Sequence, residues 1–327
     1  MKGNYDKQHK TAILNPYKSV VEVFDANPDN YLVGIKNVAS IPNTLMHKLE
    51  PYGFSLHTID KKSQLAGRAV DTELINPISG NYMSGSSSGT AINVFAGIND
   101  LGIGNDGGGS VLAPAICVNI LGFISKKIEE DRIQNIKKNT DGIVAGNSIG
   151  FMARDRQILL KAIEISTGIK QGNDIGLVYS DKKYDGIDSK VIDVMECHTE
   201  RKALTEYLKK TLSECDVFIV TEGPIDINGF GDSLFGHFDE RTKKIQEAAN
   251  KGYVRVANIA EATALAIPQK GLGMATLLMS ESKPEKIEKL LKCASLIEDV
   301  HDELIERYFL NLDNYFMEGY QKWMYIH

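Results

Sequence analysis

No two of the four cysteines form a CxxC pair; Cys117, Cys197, Cys215 and Cys293 are scattered, with no histidine at ligand spacing. The spacing excludes a zinc site and a disulfide framework and leaves four buried thiols. The seven histidines make no HExxH-like array, so metal chemistry has no support in the sequence. Long apolar runs are missing too. The longest, "VLAPAICVNILGFI", is broken by Pro114 and Asn119 and is too short to span a bilayer. The opening "MKGNYDKQHK" is polar with no apolar stretch behind it, so no secretory signal is expected. Nor is there a basic block. The formal charge of -6 is spread through mixed runs such as "SKKIEEDRIQNIKK", which argues against nucleic acid or an acidic membrane as partner. With 43% hydrophobic and 24% charged residues, the chain has the composition of a folded, soluble protein, and a cytoplasmic location is expected.

Strand-like and helix-like runs alternate along most of the 327 residues, which is the pattern of an α/β domain. "YLVGI" (31–35), "GLVYS" (176–180), "VFIV" (217–220) and "MATLLM" (274–279) are predicted strands. "RQILLKAIEI" after Asp155 and "TERKALTEYLKKTL" are predicted amphipathic helices. In "SKPEKIEKLLKCASLI", Ser282 and Glu285 have capping-box spacing and Pro284 falls in the first turn. Ile287, Leu290, Leu291, Ala294 and Ile297 form its apolar stripe. No repeat and no linker divides the chain, so one large domain over 1–327 is expected. Its aromatic-rich tail, about 307–327, would pack on the body or on a second subunit.

The unusual stretch is "NYMSGSSSGTAINVFAGINDLGIGNDGGGSVLAPA", residues 81–115. Two pieces of linker-like composition flank an apolar segment that must be buried. One reading takes Gly102, Gly104 and Gly107 as a GxGxxG phosphate-binding turn, with Glu129 or Glu130 on a ribose. That motif needs a strand before it and a helix directly after it, whereas "AINVFAGI" looks helical and Gly108, Gly109, Ser110 and Pro114 follow. A second reading makes the serines the chemistry. A serine hydroxyl attacks a carbonyl only when a base takes its proton, and with no histidine nearby the candidates are another hydroxyl and a lysine. A lysine serves if burial lowers its pKa, and Lys36 ends the apolar strand "YLVGIKN". Consecutive N–H groups in "DGGGS", beside Ser110, can hold the oxyanion.

The segment from Asn76 to Phe123 resembles the signature region of the amidase signature family, with its GGSSGG-like turn followed by GTDTGGS. Ser86 and Ser110 fall at the family's bridging and nucleophilic serines, and Asn76-Pro77 at its upstream Asn-Pro. "YLVGIKNVASIPNT" is similar to the strand carrying the family's catalytic lysine, here Lys36. "NSIGFMARDRQILLKAIEISTG", "CDVFIVTEGPIDINGFGD" and "ANIAEATALAIPQKGLGMATLLM" resemble later family segments, so the resemblance covers most of 30–298.

The resemblance implies an α/β fold with a large mixed sheet covered by helices on both faces, and a Ser-Ser-Lys amidase working through an acyl-enzyme without metal or cofactor. It makes Ser110 the nucleophile, Ser86 and neutral Lys36 the proton relay, and Gly107, Gly108, Gly109 and Ser110 the oxyanion hole. Asp106 and Ser87 would support the loops, and a cis peptide near Gly85-Ser86 is carried over as well. The chain departs from the family pattern in places: Asn105 and Gly107 replace threonines, and Leu112 replaces an arginine. Phe123, Ile124 and Ser125 occupy the site of a Lys-Pro. The chain is also shorter than typical members, which leaves three functions open: hydrolysis of a small or conjugated amide, acyl transfer as part of an amidotransferase-type complex, or a non-catalytic binding protein. A homodimer or partner subunit completing the site is one expected consequence of the missing funnel.

Overall fold

The computed structural model describes residues 3–63, 67–131, 136–138, 141–300 and 302–316. Eleven strands form one mixed sheet. In chain order they are β1 (Val20–Val23), β2 (Tyr31–Lys36), β3 (Phe54–Asp60), β4 (Leu101–Asp106), β5 (Leu121–Ser125), β6 (Ser148–Ala153), β7 (Val178–Ser180), β8 (Lys190–Val191), β9 (Val217–Glu222), β10 (Ala262–Pro268) and β11 (Ala275–Glu281). Their spatial order is β1-β3-β2-β4-β6-β5-β10-β11-β9-β7-β8. β2 runs parallel to both β3 and β4, β7 runs parallel to β8 and β9, and the remaining pairs are antiparallel.

Helices cover both faces. They are α1 (Tyr5–Leu14), α2 (Asn43–Leu49), α3 (Ser88–Phe95), α4 (Leu112–Cys117), α5 (Arg156–Thr167), α6 (Arg201–Glu214), α7 (Glu240–Glu247) and α8 (Pro284–Ala294). Side chains of a strand alternate between faces, so a sheet covered on both sides has two cores. Phe218 and Val220 of β9 join α3, α4 and α6 in one core. Val217 and Ile219 join α2, α5 and α8 in the other. Each fully buried leucine or isoleucine contributes roughly 1.5–3 kcal/mol, so strands with both faces covered read as unbroken apolar runs.

Two local expectations are revised. α8 starts at Pro284 with Lys283 as its cap residue and no side-chain cap; the expected box between Ser282 and Glu285 does not form. Ser282 Oγ instead donates to the Glu261 carbonyl at 2.8 Å and bonds Thr263 Oγ1 at 3.0 Å. The Gly85-Ser86 peptide is trans; among the described residues only Gly223-Pro224 is cis. Gly85 makes the turn through its φ of +114°, a region closed to most residues with a Cβ.

Cys117, Cys215 and Cys293 are buried and Cys197 is half-buried, all as free thiols. Of the aromatic tail, Phe309 packs on Phe95, and the Tyr315 and Tyr17 hydroxyls meet at 2.6 Å. Residues 317–327 of that expected tail lie outside the described residues. No helix among the described residues is long and apolar enough to cross a membrane.

Candidate active site

The site forms where β2 and β4 end. The two strands are parallel neighbours with Gly34 opposite Gly102 and Ile35 opposite Ile103, so both chains leave the sheet at the same edge. Carboxyl ends of adjacent parallel strands are where open α/β sheets leave room for a ligand. The last residue of β2 is Lys36, and the last two of β4 are Asn105 and Asp106.

Helix α3 brings the first serine turn to the same place. A Cβ on Gly102 would lie 2.6 Å from Thr90 Cγ2, and one on Gly104 2.8 Å from Ser87 Oγ. These glycines of "GIGNDG" therefore let α3 lie against β4, and the strand continues through them. A phosphate turn would need a helix opening directly after the glycines, and β4 provides none.

Lys36 is buried, and its Nζ donates to Ser86 Oγ at 2.6 Å and to Asn105 Oδ1 at 2.6 Å. Burial lowers its pKa to about 7, opposed by the Asp106 carboxylate and assisted by the Lys62 cation. Removal from water disfavours the ammonium, so a substantial fraction of this amine is neutral near pH 7. Asn105 Nδ2 donates to Ser40 Oγ at 2.9 Å, which fixes the amide so that its oxygen faces the lysine.

The second glycine turn is organised by Asp106. Its buried carboxylate accepts from the N–H groups of Gly109 at 2.7 Å, Val111 at 2.6 Å and Leu112 at 3.3 Å. Gly109 is thereby removed from the expected oxyanion set, because its N–H is spent on Asp106. Gly107 and Gly108 line the cavity together with Ser110, Ser86 and Lys36. The two turns are tied by their backbones, with Ser87 N–H donating to the Ser110 carbonyl at 3.2 Å. The Ser87 hydroxyl is buried without a partner among the described residues, so this residue supports the loops through its main chain. Asn76 Nδ2 donates to the Cys117 carbonyl at 2.7 Å and anchors the preceding segment to α4.

The cavity has a volume of about 560 Å³, within the usual range of small-molecule sites. Sequence reasoning missed several of its residues. Asn105 stands out in the sequence only as a departure from a motif, although an amide at the end of a strand that neighbours Lys36 is a usable signal. Lys62, Arg68, Arg201 and Lys251 also line the cavity. Lys62 and Arg68 lie in the connection after β3 and the other two in distant segments, and no spacing rule joins them.

Residues 72–127 match the family model described as Amidase. No curated protein sequence matches the chain. Among solved structures, one described as an amidase superposes with a TM-score of 0.62 at 13% identity, covering 90% of this chain and 94% of that one. A glutamyl-tRNA(Gln) amidotransferase component from Thermotoga maritima superposes at 0.58 with 15% identity, over 88% and 90% of the two chains. Kluyveromyces lactis allophanate hydrolase gives 0.60 at 12% identity, over 89% of this chain and 69% of that one. The segment that matches the Amidase family model holds both the serine and the glycine turn, and the solved structures, aligned over 88–90% of this chain, share its fold.

Proposed function

We propose that the protein hydrolyses a carbon–nitrogen bond of an amide, other than a peptide bond, through an acyl-enzyme on Ser110. The observation that carries this reading is the 2.6 Å approach of the buried Lys36 amine to Ser86 Oγ, in a cavity that Ser110 also lines.

Ser110 Oγ attacks the amide carbon while its proton passes to Ser86 Oγ, and Ser86 passes its own proton to the neutral Lys36 amine. The carbonyl electrons move to oxygen, and the N–H groups of Gly107, Gly108 and Ser110 stabilise that oxyanion. Collapse of the tetrahedral intermediate expels the amine, which takes the proton back through Ser86. A water molecule then attacks the Ser110 ester by the same relay and releases the acid. Asn105 holds one Lys36 N–H, which leaves the nitrogen lone pair free to turn toward Ser86. The same residues support transfer of the acyl group to an amine in place of water, and one fold neighbour is part of an amidotransferase. Product analysis with added ammonia or amines separates the two outcomes.

Treatment with a fluorophosphonate followed by intact-mass measurement and peptide mapping tests the nucleophile. One adduct on Ser110, formed much more slowly in Lys36→Ala, is the expected result. No adduct on folded protein would overturn the reading and favour a binding protein built on this fold.

A further inference from the structure

The chain carries a net charge of -6, yet the wall of its main cavity has the opposite character. Lys36, Lys62, Arg68, Lys138, Arg201 and Lys251 all line it, and among the described residues no aspartate or glutamate does. Two of these cations are held by carboxylates outside the lining: Arg68 donates to Asp232 at 2.5 Å and Arg201 pairs with Asp141 at 2.5 Å. These pairs hold the guanidinium groups at the cavity. Lys62 and Lys251 are different, since neither makes a hydrogen bond or ion pair among the described residues.

Lys251 is the more telling of the two. The carboxylate that acts most strongly on it is Asp226, which is already occupied. Asp226 accepts from Ser84 N–H at 2.5 Å and Ser84 Oγ at 2.6 Å, from Gly231 N–H at 3.0 Å, and from Cys117 Sγ at 3.3 Å. A half-buried lysine on the cavity wall thus stands within the field of another cation, Arg201, and makes no hydrogen bond or ion pair among the described residues. A charge taken out of water is costly unless something opposite pairs with it. Low-dielectric walls lined with one sign of charge also raise the local concentration of counter-ions.

We infer that this wall is a subsite for an oxyanion of the substrate, so that the amide hydrolysed here carries a carboxylate or a phosphate, with Lys251 and Lys62 as its unpaired contacts. The inference rests on the hydrolytic reading for the word amide, but the subsite itself can be measured without turnover. Ser110→Ala protein is titrated by calorimetry at low ionic strength with three amides of similar length: succinamate, 3-phosphonopropanamide and neutral butanamide.

The expected result is that at least one anion binds on the order of ten times more tightly than butanamide or better. The preference shrinks with added salt, as it must for charge contacts. It falls by roughly tenfold in Lys251→Met. Lys62→Gln, on a partly exposed side chain, should lower it by a smaller factor and guards against a folding defect in the first variant. Which anion wins separates the carboxylate from the phosphate source. Equal affinity for all three, no binding of either anion, or a preference intact in both variants would overturn the subsite. Fluorophosphonate labelling reports separately on the nucleophile. A labelled Ser110 without anion preference removes only this inference, and anion preference without labelling removes only the hydrolytic one.

Discussion

Two buried polar networks start from the same pair of strands and end differently. Lys36 and Asp60 stand opposite each other in the register of β2 and β3. Burial alone is the largest influence on both, and it moves both to a pKa of about 7, one downward and one upward. Lys36 reaches a cavity lined by Ser86, Ser110 and a glycine turn. Asp60 is sealed in: its Oδ1 accepts from Thr58 Oγ1 and Asn93 Nδ2, both at 2.6 Å, and its Oδ2 has no partner among the described residues. The network continues through Asn99 to His57, and none of these residues lies on the cavity wall. A perturbed ionisable group is therefore not by itself a mark of chemistry. What distinguishes Lys36 is access to a space where a reacting atom can sit, with a hydroxyl within proton-transfer distance.

The strongest way to break this contrast is to remove the groups on the open side. Ser110→Ala should lower turnover of any amide substrate by roughly a thousandfold or more, since the acyl-enzyme can no longer form. Lys36→Ala should lower it by about 100- to 10,000-fold, the usual range for a positioned base. Neither change should destabilise the fold. Lys36 titrates near 10.5 when unfolded and near 7 when folded, so the unfolded chain holds more protons between those values. Stability then rises with pH across that window, and replacing the lysine removes a cost that is largest below pH 7. Denaturant unfolding at pH 6 that showed a large loss of stability in Lys36→Ala would contradict the account of a buried, unwilling cation.

A subtler intervention keeps Lys36, Ser86 and Ser110 and changes only the field around the lysine. In the wild type, kcat/KM should rise with pH through about 7 as the Lys36 amine becomes neutral. Asn105→Asp replaces the amide that contacts this amine with a carboxylate, which favours the ammonium. The limb should move to higher pH by about 1–3 units, with activity recovered at the alkaline plateau. A uniform loss at all pH values would make Asn105 a structural residue and not one that positions the base.

The sequence made the open network legible because its parts are contiguous in chain or in pattern. Lys36 ends an apolar strand, and the two serine and glycine turns bracket an obligatorily buried segment. The alternation of strands and helices likewise pointed to an α/β domain, which the eleven-stranded sheet and its helices form. What was not legible depends on groups meeting across the fold. Whether Gly109 has a free N–H is settled by the side chain of Asp106, and Ser282 is claimed by the Glu261 carbonyl across the end of the β10–β11 pair and so does not cap α8. The cations at 62, 68, 201 and 251 and the sealed network from Asn93 through Asp60 and Asn99 to His57 share no local motif either. Periodicity reports which face a residue occupies, but only the tertiary structure decides which polar atoms find each other there.

The smallest expected effect tests the sealed side of the comparison. Asp60 titrates near 3.8 when unfolded and near 7 when folded, so between those values the native state holds a proton that the unfolded chain has released. Stability must fall as pH rises through that window, and above pH 7 the fold bears the full cost of a buried carboxylate with one bare oxygen. Asp60→Asn keeps an oxygen for Thr58 and Asn93 and removes the charge. It should therefore stabilise the protein by on the order of 2 kcal/mol at pH 8, and the gain should disappear below about pH 4. Urea unfolding across pH reads this directly. Amide turnover at pH 8 should stay within about twofold of wild type, because this network does not reach the cavity. If the substitution instead removed activity while the protein stayed folded, the two networks would be one functional unit, and the division drawn at the β2–β3 pair would be wrong.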